Sequence, residues 1–183
     1  MHIEELLPGL LLITPKVYED HRGLFFESFR SDALQNHGVA DQFVQDNQSL
    51  SNRGILRGLH FQLPPHTQSK LVRVVQGSVL DVAVDIRKGS PTYGQHVAVE
   101  LSGQNHRQLY IPEGFAHGFL TLEDQTLFLY KCNKYYAPTS EQGLPWNDPD
   151  LGIDWGIDQP TLSAKDELHK AFAEFESPFT FTS

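Results

Sequence analysis

The chain has 183 residues, which is enough for one ordinary domain, and we expect a single domain over residues 1–183. It contains 14 Lys and Arg against 23 Asp and Glu, a formal net charge of −9. This acidic balance excludes a general nucleic-acid binder, which would carry a basic surface. A lone cysteine, Cys132, excludes an internal disulfide and a cysteine-built zinc site. The acidic start and the absence of a long apolar run predict a soluble, cytoplasmic protein with no membrane partner.

Most of the predicted elements are strands. In chain order we predict strands over residues 10–14 and 24–29 and a short helix over residues 31–38, which opens on Ser31 and closes on Gly38. The middle is strongly β. Residues 71–75 and 79–85 flank Gln76-Gly77-Ser78, which predicts a hairpin, and the second strand alternates between two faces.

Further short strands are predicted over residues 96–101, 108–111, 115–122 and 127–131. Turn residues every eight to twelve positions favour a sandwich or barrel over an α/β sheet. Residues 163–175 alone have helical spacing, with Leu168, Ala171, Phe172 and Phe175 on one stripe. We therefore predict an all-β fold of antiparallel jelly-roll type with short helices, one of them C-terminal.

Two segments carry residues suited to chemistry. One contains His60 and is followed by Lys70. The other has the spacing Pro112-x-Gly114-x-x-His117, which is typical of the second metal motif of cupin barrels. The first cupin motif needs a His-x-His pair, but position 62 is Gln. Because metal binding normally requires three or four convergent ligands, these residues predict a cupin-like barrel with no metal and two inward histidines.

Each candidate also has a structural interpretation. Either histidine could be a packed residue that only orients a neighbour. Lys70 begins an apolar strand, where a lysine is usually solvated, and Tyr130 ends one, where an aromatic is usually core. Asp166 lies three residues after Ser163 and fits a helix capping box, but its carboxylate could instead contact a histidine. The sequence leaves these alternatives open.

Taken together, the segments resemble the dTDP-4-dehydrorhamnose 3,5-epimerase family. The matching segments occur in the same order over most of the chain: 20–27 (DHRGLFFE), 43–47 (FVQDN), 57–62 (RGLHFQ), 70–73, 81–87, 112–119, 129–131 and 135–136. Each segment alone is a weak signal, but the ordered set is highly specific. Two departures are Gln48, where a histidine is common, and Trp155-Gly156, where a proline is common after the tryptophan.

The resemblance implies a role for each matched position. His60 would be the general base, Asp166 its carboxylate partner and Tyr130 the acid on the opposite face, while Lys70 would hold the C4 oxygen with His117 close by. The nucleotide sugar would be bound by Arg22, Glu27, Gln45, Asp46, Asn47, Arg57, Tyr135, Tyr136, Glu141 and Lys165. The substrate would be a dTDP-4-keto-6-deoxyhexose, with no cofactor, and the protein a homodimer in which part of one subunit reaches the other's pocket.

The implied reaction is epimerisation at C3 and C5 beside the C4 ketone, in dTDP-L-rhamnose biosynthesis. Two alternatives remain open at this point. The same residue types would serve a single 3- or 5-epimerase of another deoxysugar pathway. They would also be present in a non-catalytic nucleotide-sugar-binding barrel.

Overall fold

The computed structural model describes residues 1–182 and is built almost entirely from strands. The strands are β1 (His2–Leu7), β2 (Leu10–Thr14), β3 (Tyr18–Asp20), β4 (Gly23–Phe25), β5 (Gln45–Ser51), β6 (Leu56–Gln62), β7 (Lys70–Gln76), β8 (Ser78–Asp85), β9 (His96–Ser102), β10 (Gln108–Ile111), β11 (Phe115–Thr121), β12 (Thr126–Cys132) and β13 (Glu141–Gly143). The α-helix α1 spans Ser31–Gln35, and 3₁₀ turns lie at Pro138–Ser140 and Phe172–Glu174. Within residues 1–182, no helix is long and apolar enough to cross a membrane.

Two antiparallel sheets face each other, which confirms the predicted jelly-roll fold. The six-stranded sheet has the order β1-β2-β10-β7-β12-β5, and the five-stranded sheet has the order β13-β6-β11-β8-β9. Apolar side chains of both sheets form the core between them, including Val72 and Phe128 from the first and Ala83 and Phe119 from the second. The site described below opens into one end of this inter-sheet core.

Strand β8 is buried on both of its faces. Val79 and Ala83 face the inter-sheet core, whereas Val82 and Val84 belong to a second core on the outer side of the five-stranded sheet. That outer core is covered by the segment after β13, through residues such as Trp155. Because side chains alternate along a strand, β8 can contribute to both layers.

The predicted hairpin between β7 and β8 is wrong. The two strands belong to different sheets, and the chain crosses between the sheets at Gly77, which has φ +76°. A side chain at Gly77 would collide with Thr126, so glycine suits both the backbone conformation and the close approach. Strand periodicity identified the two strands but contained no information about their partners.

The predicted C-terminal helix is also wrong. Residues 163–175 form turns and the 3₁₀ turn Phe172–Glu174. Leu168, expected on the buried stripe, is 82% exposed, whereas Phe172 and Phe175 pack against the outer core. The Phe172 backbone N–H donates to Asp148 Oδ2 at 2.7 Å, and this tertiary contact holds the chain in a non-helical path.

The two remaining N-terminal predictions are confirmed only in part. The strand predicted over residues 24–29 already ends at Phe25, and the helix predicted over residues 31–38 ends at Gln35. Gly38 has φ +82°, a conformation that L-residues rarely adopt, so its place after the helix agrees with the expected glycine stop.

A close approach of β6 and β11 sets the geometry of the site. Gly58 in β6 and Gly118 in β11 leave no room for a side chain, because a methyl group on Gly58 would lie 2.4 Å from the Gly118 Cα. The register shifts at this point, and His117 then lies opposite His60. The local backbone thus places both predicted histidines side by side on one sheet.

Candidate active site

A cavity of about 520 Å³ lies between the two sheets. It brings together all four residues predicted to be catalytic and three of the predicted binding residues. Its lining includes His60, Asp166, Lys70, Tyr130, His117, Asn47 and Arg57. His60 and His117 come from the five-stranded sheet, whereas Lys70 and Tyr130 come from the six-stranded sheet.

His60 forms a dyad with Asp166, from a segment 106 positions further along the chain. His60 Nε2 lies 2.5 Å from Asp166 Oδ1, and Ser163 Oγ donates to Asp166 Oδ2 at 2.9 Å. The Asp166 side chain is only 2% exposed. Its burial opposes ionisation, but the His169 and His60 imidazoles and the Ser163 hydroxyl outweigh this effect and hold the pKa of Asp166 well below its usual value. The dyad therefore contains a carboxylate, and His60 Nδ1 is the ring nitrogen left for a substrate.

Asp166 contacts a histidine and does not cap a helix. Its carboxylate contacts a histidine, and residues 163–166 form a turn rather than the first turn of a helix. The Ser163 contact that suggested a capping box is present as a side-chain hydrogen bond. It orients the carboxylate instead of satisfying the N–H groups of a helix.

His117 is buried beside His60 and contacts a second carboxylate. Its Nε2 lies 3.0 Å from both oxygens of Asp81, which is completely buried. Burial lowers the pKa of His117 even though Asp81 opposes this shift. Burial thus favours the neutral form of the His117 imidazole, and Asp81 holds the ring in place. The alternation along β8 places Asp81 on the same face as Val79 and Ala83, but a single inward carboxylate does not identify the group that it contacts.

Lys70 and Tyr130 approach the cavity from the opposite sheet. Lys70 Nζ lies 5.9 Å from the centre of the Tyr130 ring, so the lysine side chain points inward. Burial lowers the pKa of Lys70, with Cys132 and Asp81 acting in the opposite direction. Burial also raises the pKa of Tyr130, which keeps the phenol protonated. Burial thus disfavours the charged forms of Lys70 and Tyr130, which lie side by side in the cavity.

A smaller cavity of about 320 Å³ adjoins the first and shares His60, Lys70 and Tyr130 with it. It adds three predicted residues: Gln45, Tyr136 and Glu141. The Tyr136 hydroxyl donates to Glu141 at 2.8 Å, and Lys165 Nζ lies 3.2 Å from the same carboxylate. Although burial acts the other way, these contacts lower the pKa of Glu141. Lys165 therefore reaches the cavity rim through an ion pair.

Five predicted binding residues do not line these cavities: Lys165, which reaches the rim through its ion pair with Glu141, and Arg22, Glu27, Asp46 and Tyr135. Arg22 lies in the exposed β3–β4 turn, where it is ion-paired with Asp20 at 2.6 Å. Asp46 follows Gln45 on β5 and faces the other side of the sheet, because successive residues of a strand alternate. Tyr135 is 70% exposed. A single chain does not bring these last four residues to the site.

The structure adds residues that the sequence analysis did not assign to a site. Ser49 and Phe128 line the cavity, two positions from Asn47 and Tyr130 on the same strand faces. This spacing could have identified them once the strands were known. His169 lies next to Asp166, with its Nε2 3.8 Å from Oδ1, and no sequence motif indicated that His169 belongs to the site.

The ligand atoms of His60, Asp166 and His169 all lie within 4.8 Å of one another. Zinc bonds of about 2.0–2.2 Å place tetrahedral ligand atoms more than about 3 Å apart. The 2.5 Å between His60 Nε2 and Asp166 Oδ1 is a hydrogen-bond distance that leaves no space for a metal ion between them. The arrangement therefore suits a proton-transfer dyad better than a metal centre.

Both the sequence and the structure of the chain are similar to those of known proteins. Residues 4–174 match the profile of the family described as dTDP-4-dehydrorhamnose 3,5-epimerase. The chain belongs to this family. A dTDP-4-dehydrorhamnose 3,5-epimerase from Shigella flexneri is 52% identical over 173 residues, which cover 94% of this chain and 96% of that protein. One from Methanothermobacter thermautotrophicus is 50% identical over 175 residues, which cover 94% of each chain.

Solved structures of the family are equally similar to this chain. The dTDP-6-deoxy-D-glucose-3,5-epimerase RmlC from Legionella pneumophila, in complex with dTDP-4-keto-L-rhamnose, superposes with a TM-score of 0.93 at 46% identity and with full coverage of both chains. ChmJ, a 3'-monoepimerase from Streptomyces bikiniensis in complex with dTDP-quinovose, superposes at 0.86 with 36% identity over 94% of this chain and 88% of that one. The family membership makes this protein a sugar-nucleotide epimerase.

Proposed function

We propose that the protein is a dTDP-4-dehydrorhamnose 3,5-epimerase, which inverts C3 and C5 of dTDP-4-dehydro-6-deoxy-D-glucose with its own side chains and supplies dTDP-L-rhamnose biosynthesis. The observation that carries the proposal is the arrangement of one cavity. His60 of one sheet, paired with the Asp166 carboxylate, and Lys70 and Tyr130 of the other sheet line this one cavity.

The C4 ketone makes the neighbouring protons removable, because the resulting carbanion is delocalised as an enolate. If the pKa of such a C–H group lies roughly twelve units above that of imidazolium, transfer of its proton to imidazole costs on the order of 16 kcal/mol. A positioned base contributes about 3–5 kcal/mol of rate acceleration. Most of the rest must come from stabilisation of the enolate oxygen. We assign that role to Lys70, whose ammonium acts as a strong point charge where hydration is reduced.

His60 would take the proton on Nδ1, because Nε2 is occupied by Asp166. The Asp166 carboxylate would fix the ring orientation and stabilise the imidazolium that forms. His117, held by Asp81, would complete the polar wall as a neutral hydrogen-bonding group beside the ketone oxygen.

Inversion requires that a proton return from the opposite face of the ring. Tyr130 suits this step because it belongs to the opposite sheet and its phenol stays protonated. Arg57 and Asn47 line the same cavity and would bind the nucleotide sugar, with the Arg57 guanidinium suited to diphosphate oxygens.

The test is an exchange experiment in D₂O. The 4-keto sugar nucleotide is incubated with the enzyme, and NMR follows the C3 and C5 protons and the configuration at each centre. A double epimerase exchanges and inverts both positions. Exchange at one position only would favour a monoepimerase, a function supported by the similarity to ChmJ. Exchange at neither position, with dTDP still bound, would leave a binding barrel and overturn the proposal.

The lowered pKa of Lys70 predicts the alkaline limit of activity. The charged form stabilises the enolate, so activity is present below this pKa and is lost as pH rises through it. Because burial lowers the pKa, kcat should decline at a pH below the ordinary lysine value of about 10.4. Tyr130 has a raised pKa and would titrate later. Measuring kcat against pH tests this.

The matched control for that measurement is Lys70→Arg, because a guanidinium stays charged throughout the range. Its kcat should be lower than that of the wild type, but the decline on the alkaline side should disappear. A decline at the same pH in both proteins would assign the limit to another group.

We further propose a homodimer in which Arg22 of each subunit completes the pocket of the other. Arg22 lies on an exposed two-stranded hairpin that does not reach its own cavity. The hairpin also exposes Tyr18, Leu24 and Phe25, which are 56%, 49% and 68% exposed. Such an apolar surface is typical of an interaction site, and most oligomers of one chain are symmetric dimers.

A mixed dimer tests whether Arg22 acts across the interface. Two differently tagged chains, one with Arg22→Ala and one with His60→Ala, are co-expressed and the heterodimer is purified. One of its pockets should combine intact His60 with intact Arg22 and give about half the wild-type rate, although both parent homodimers are impaired. Activity no higher than that of the parents would place Arg22 outside the neighbouring pocket. Arg107→Ala, at an exposed position away from the cavities, is the matched control.

A further inference from the structure

His169 is a second imidazole beside the dyad that the mechanism above does not use. Its Nε2 is buried and has no hydrogen-bond partner within residues 1–182. The same atom lies 3.8 Å from Asp166 Oδ1, the oxygen that contacts His60. The His60 and His169 rings are 6.0 Å apart and nearly perpendicular, at 77°. Two imidazoles therefore converge on one carboxylate oxygen.

The neighbouring strand leaves room for His169 in this position. Gly143 of β13 lies opposite His60 of β6 in the sheet register. A methyl group at Gly143 would lie 2.4 Å from His169 Nε2 and 2.5 Å from the Leu59 carbonyl oxygen. The absence of a side chain at Gly143 thus allows the His169 ring to pack against β13, the strand that pairs with β6.

An ionised carboxylate accepts hydrogen bonds but donates none. A ring nitrogen that faces it is therefore favoured in its protonated N–H form. Burial disfavours the charge on Asp166, and the His169 imidazole is among the groups that oppose this effect and lower the pKa of Asp166. Ser163 Oγ supports the other oxygen, Oδ2. His169 therefore faces Oδ1, the oxygen that also contacts His60, whereas Ser163 supports Oδ2.

We propose that His169 is a positioning residue of the epimerase: its Nε2–H faces Asp166 Oδ1 and, together with Ser163, holds the carboxylate charged and aimed at His60. The inference rests on the proposed function of the dyad. It assigns His169 no contact with the substrate. Its effect should therefore appear in kcat, since a correctly placed dyad matters most when the imidazolium forms.

Two substitutions separate the N–H group from the volume of the ring. His169→Phe keeps a ring but loses the donor, whereas His169→Gln keeps a donor N–H. We expect the Phe variant to lose about three- to tenfold in kcat with KM changed less than about twofold. The Gln variant should keep more than about half of the wild-type kcat. Equal kcat values for the two variants would overturn the proposal, because a packing role predicts no advantage for the amide.

A double-mutant cycle tests whether His169 acts through Asp166. In an Asp166→Asn background the Phe substitution should have little further effect on kcat. The same fold loss in both backgrounds would overturn the proposal. Thermal unfolding and dTDP binding, measured for each variant, show whether the fold and the site are preserved.

A measurement on the wild-type protein does not depend on any variant folding. Histidine ¹⁵N NMR at neutral pH should show hydrogen on Nε2 of His169, and a ring protonated on Nδ1 only would overturn the proposal. Failure of this inference is distinguishable from failure of the proposed function. In the first case the wild-type enzyme still exchanges C3 and C5 protons in D₂O, and in the second it does not.

Discussion

Replacing His60 with alanine is expected to lower the rate of C3 and C5 exchange by about 10³-fold or more, while dTDP still binds. The imidazole acts mainly in the transition state, so its loss should affect turnover far more than nucleotide affinity. Asp166 remains in the cavity wall but is separated from the substrate by the volume that the ring occupied. A carboxylate held there by Ser163 cannot reach the same proton. NMR measures the rate of exchange, and calorimetry measures the affinity for dTDP.

The matched control is His96→Ala, because His96 lies on β9 at the far edge of the five-stranded sheet and does not line the site. This variant should keep wild-type exchange. Near-normal exchange in the His60 variant would remove His60 from the mechanism. A variant that loses both exchange and dTDP binding would instead indicate a collapsed site, and its thermal unfolding would show this.

The sequence predicted most of the strands but not how they pair. The segments that became β7 and β8 were correctly identified from their apolar alternation, yet the glycine between them was assigned to a hairpin. A tight turn and a crossing between sheets both favour glycine with positive φ, so the local signal is the same. Only the packing of β7 against β10 and β12, which are distant in sequence, distinguishes the two outcomes.

The C-terminal error has a related cause. Helical spacing of Phe172 and Phe175 was present, and both residues do pack against the outer core. The short segment is nonetheless tied at one end by Asp166 to His60 and near the other by Phe172 to Asp148. These long-range contacts override a local preference of a few tenths of a kcal/mol per residue.

The site shows the same division between local and long-range information. The residues predicted to be catalytic, such as His60, Lys70 and Tyr130, line one cavity of a single chain. Arg22 and Glu27 do not, and no pattern within a single chain could position them if a second subunit is required. Asp81 and His169 were not assigned, because a single inward carboxylate and a lone histidine in a turn have no distinctive spacing. Both are recognised only through the groups that they face.

Replacing Tyr130 with phenylalanine is expected to separate proton exchange from inversion. His60 and Lys70 would still form the enolate, so deuterium from D₂O should still enter at C3 and C5. Without the phenol on the opposite face, deuterium would return mainly from the His60 side and restore the original configuration. We expect the yield of epimer to fall by about 10²-fold or more, while exchange falls much less.

NMR measures both quantities in one sample, because deuterium content and ring configuration affect different signals. Tyr93→Phe is the matched control, since Tyr93 packs against Phe172 outside the cavity and its loss of a hydroxyl should leave both rates unchanged. An unchanged epimer yield in the Tyr130 variant would mean that another group or water supplies the second proton. Equal loss of exchange and inversion would mean that Tyr130 takes part in enolate formation. Either result would contradict the proposed mechanism, in which His60 of one sheet removes the proton and Tyr130 of the other sheet returns it.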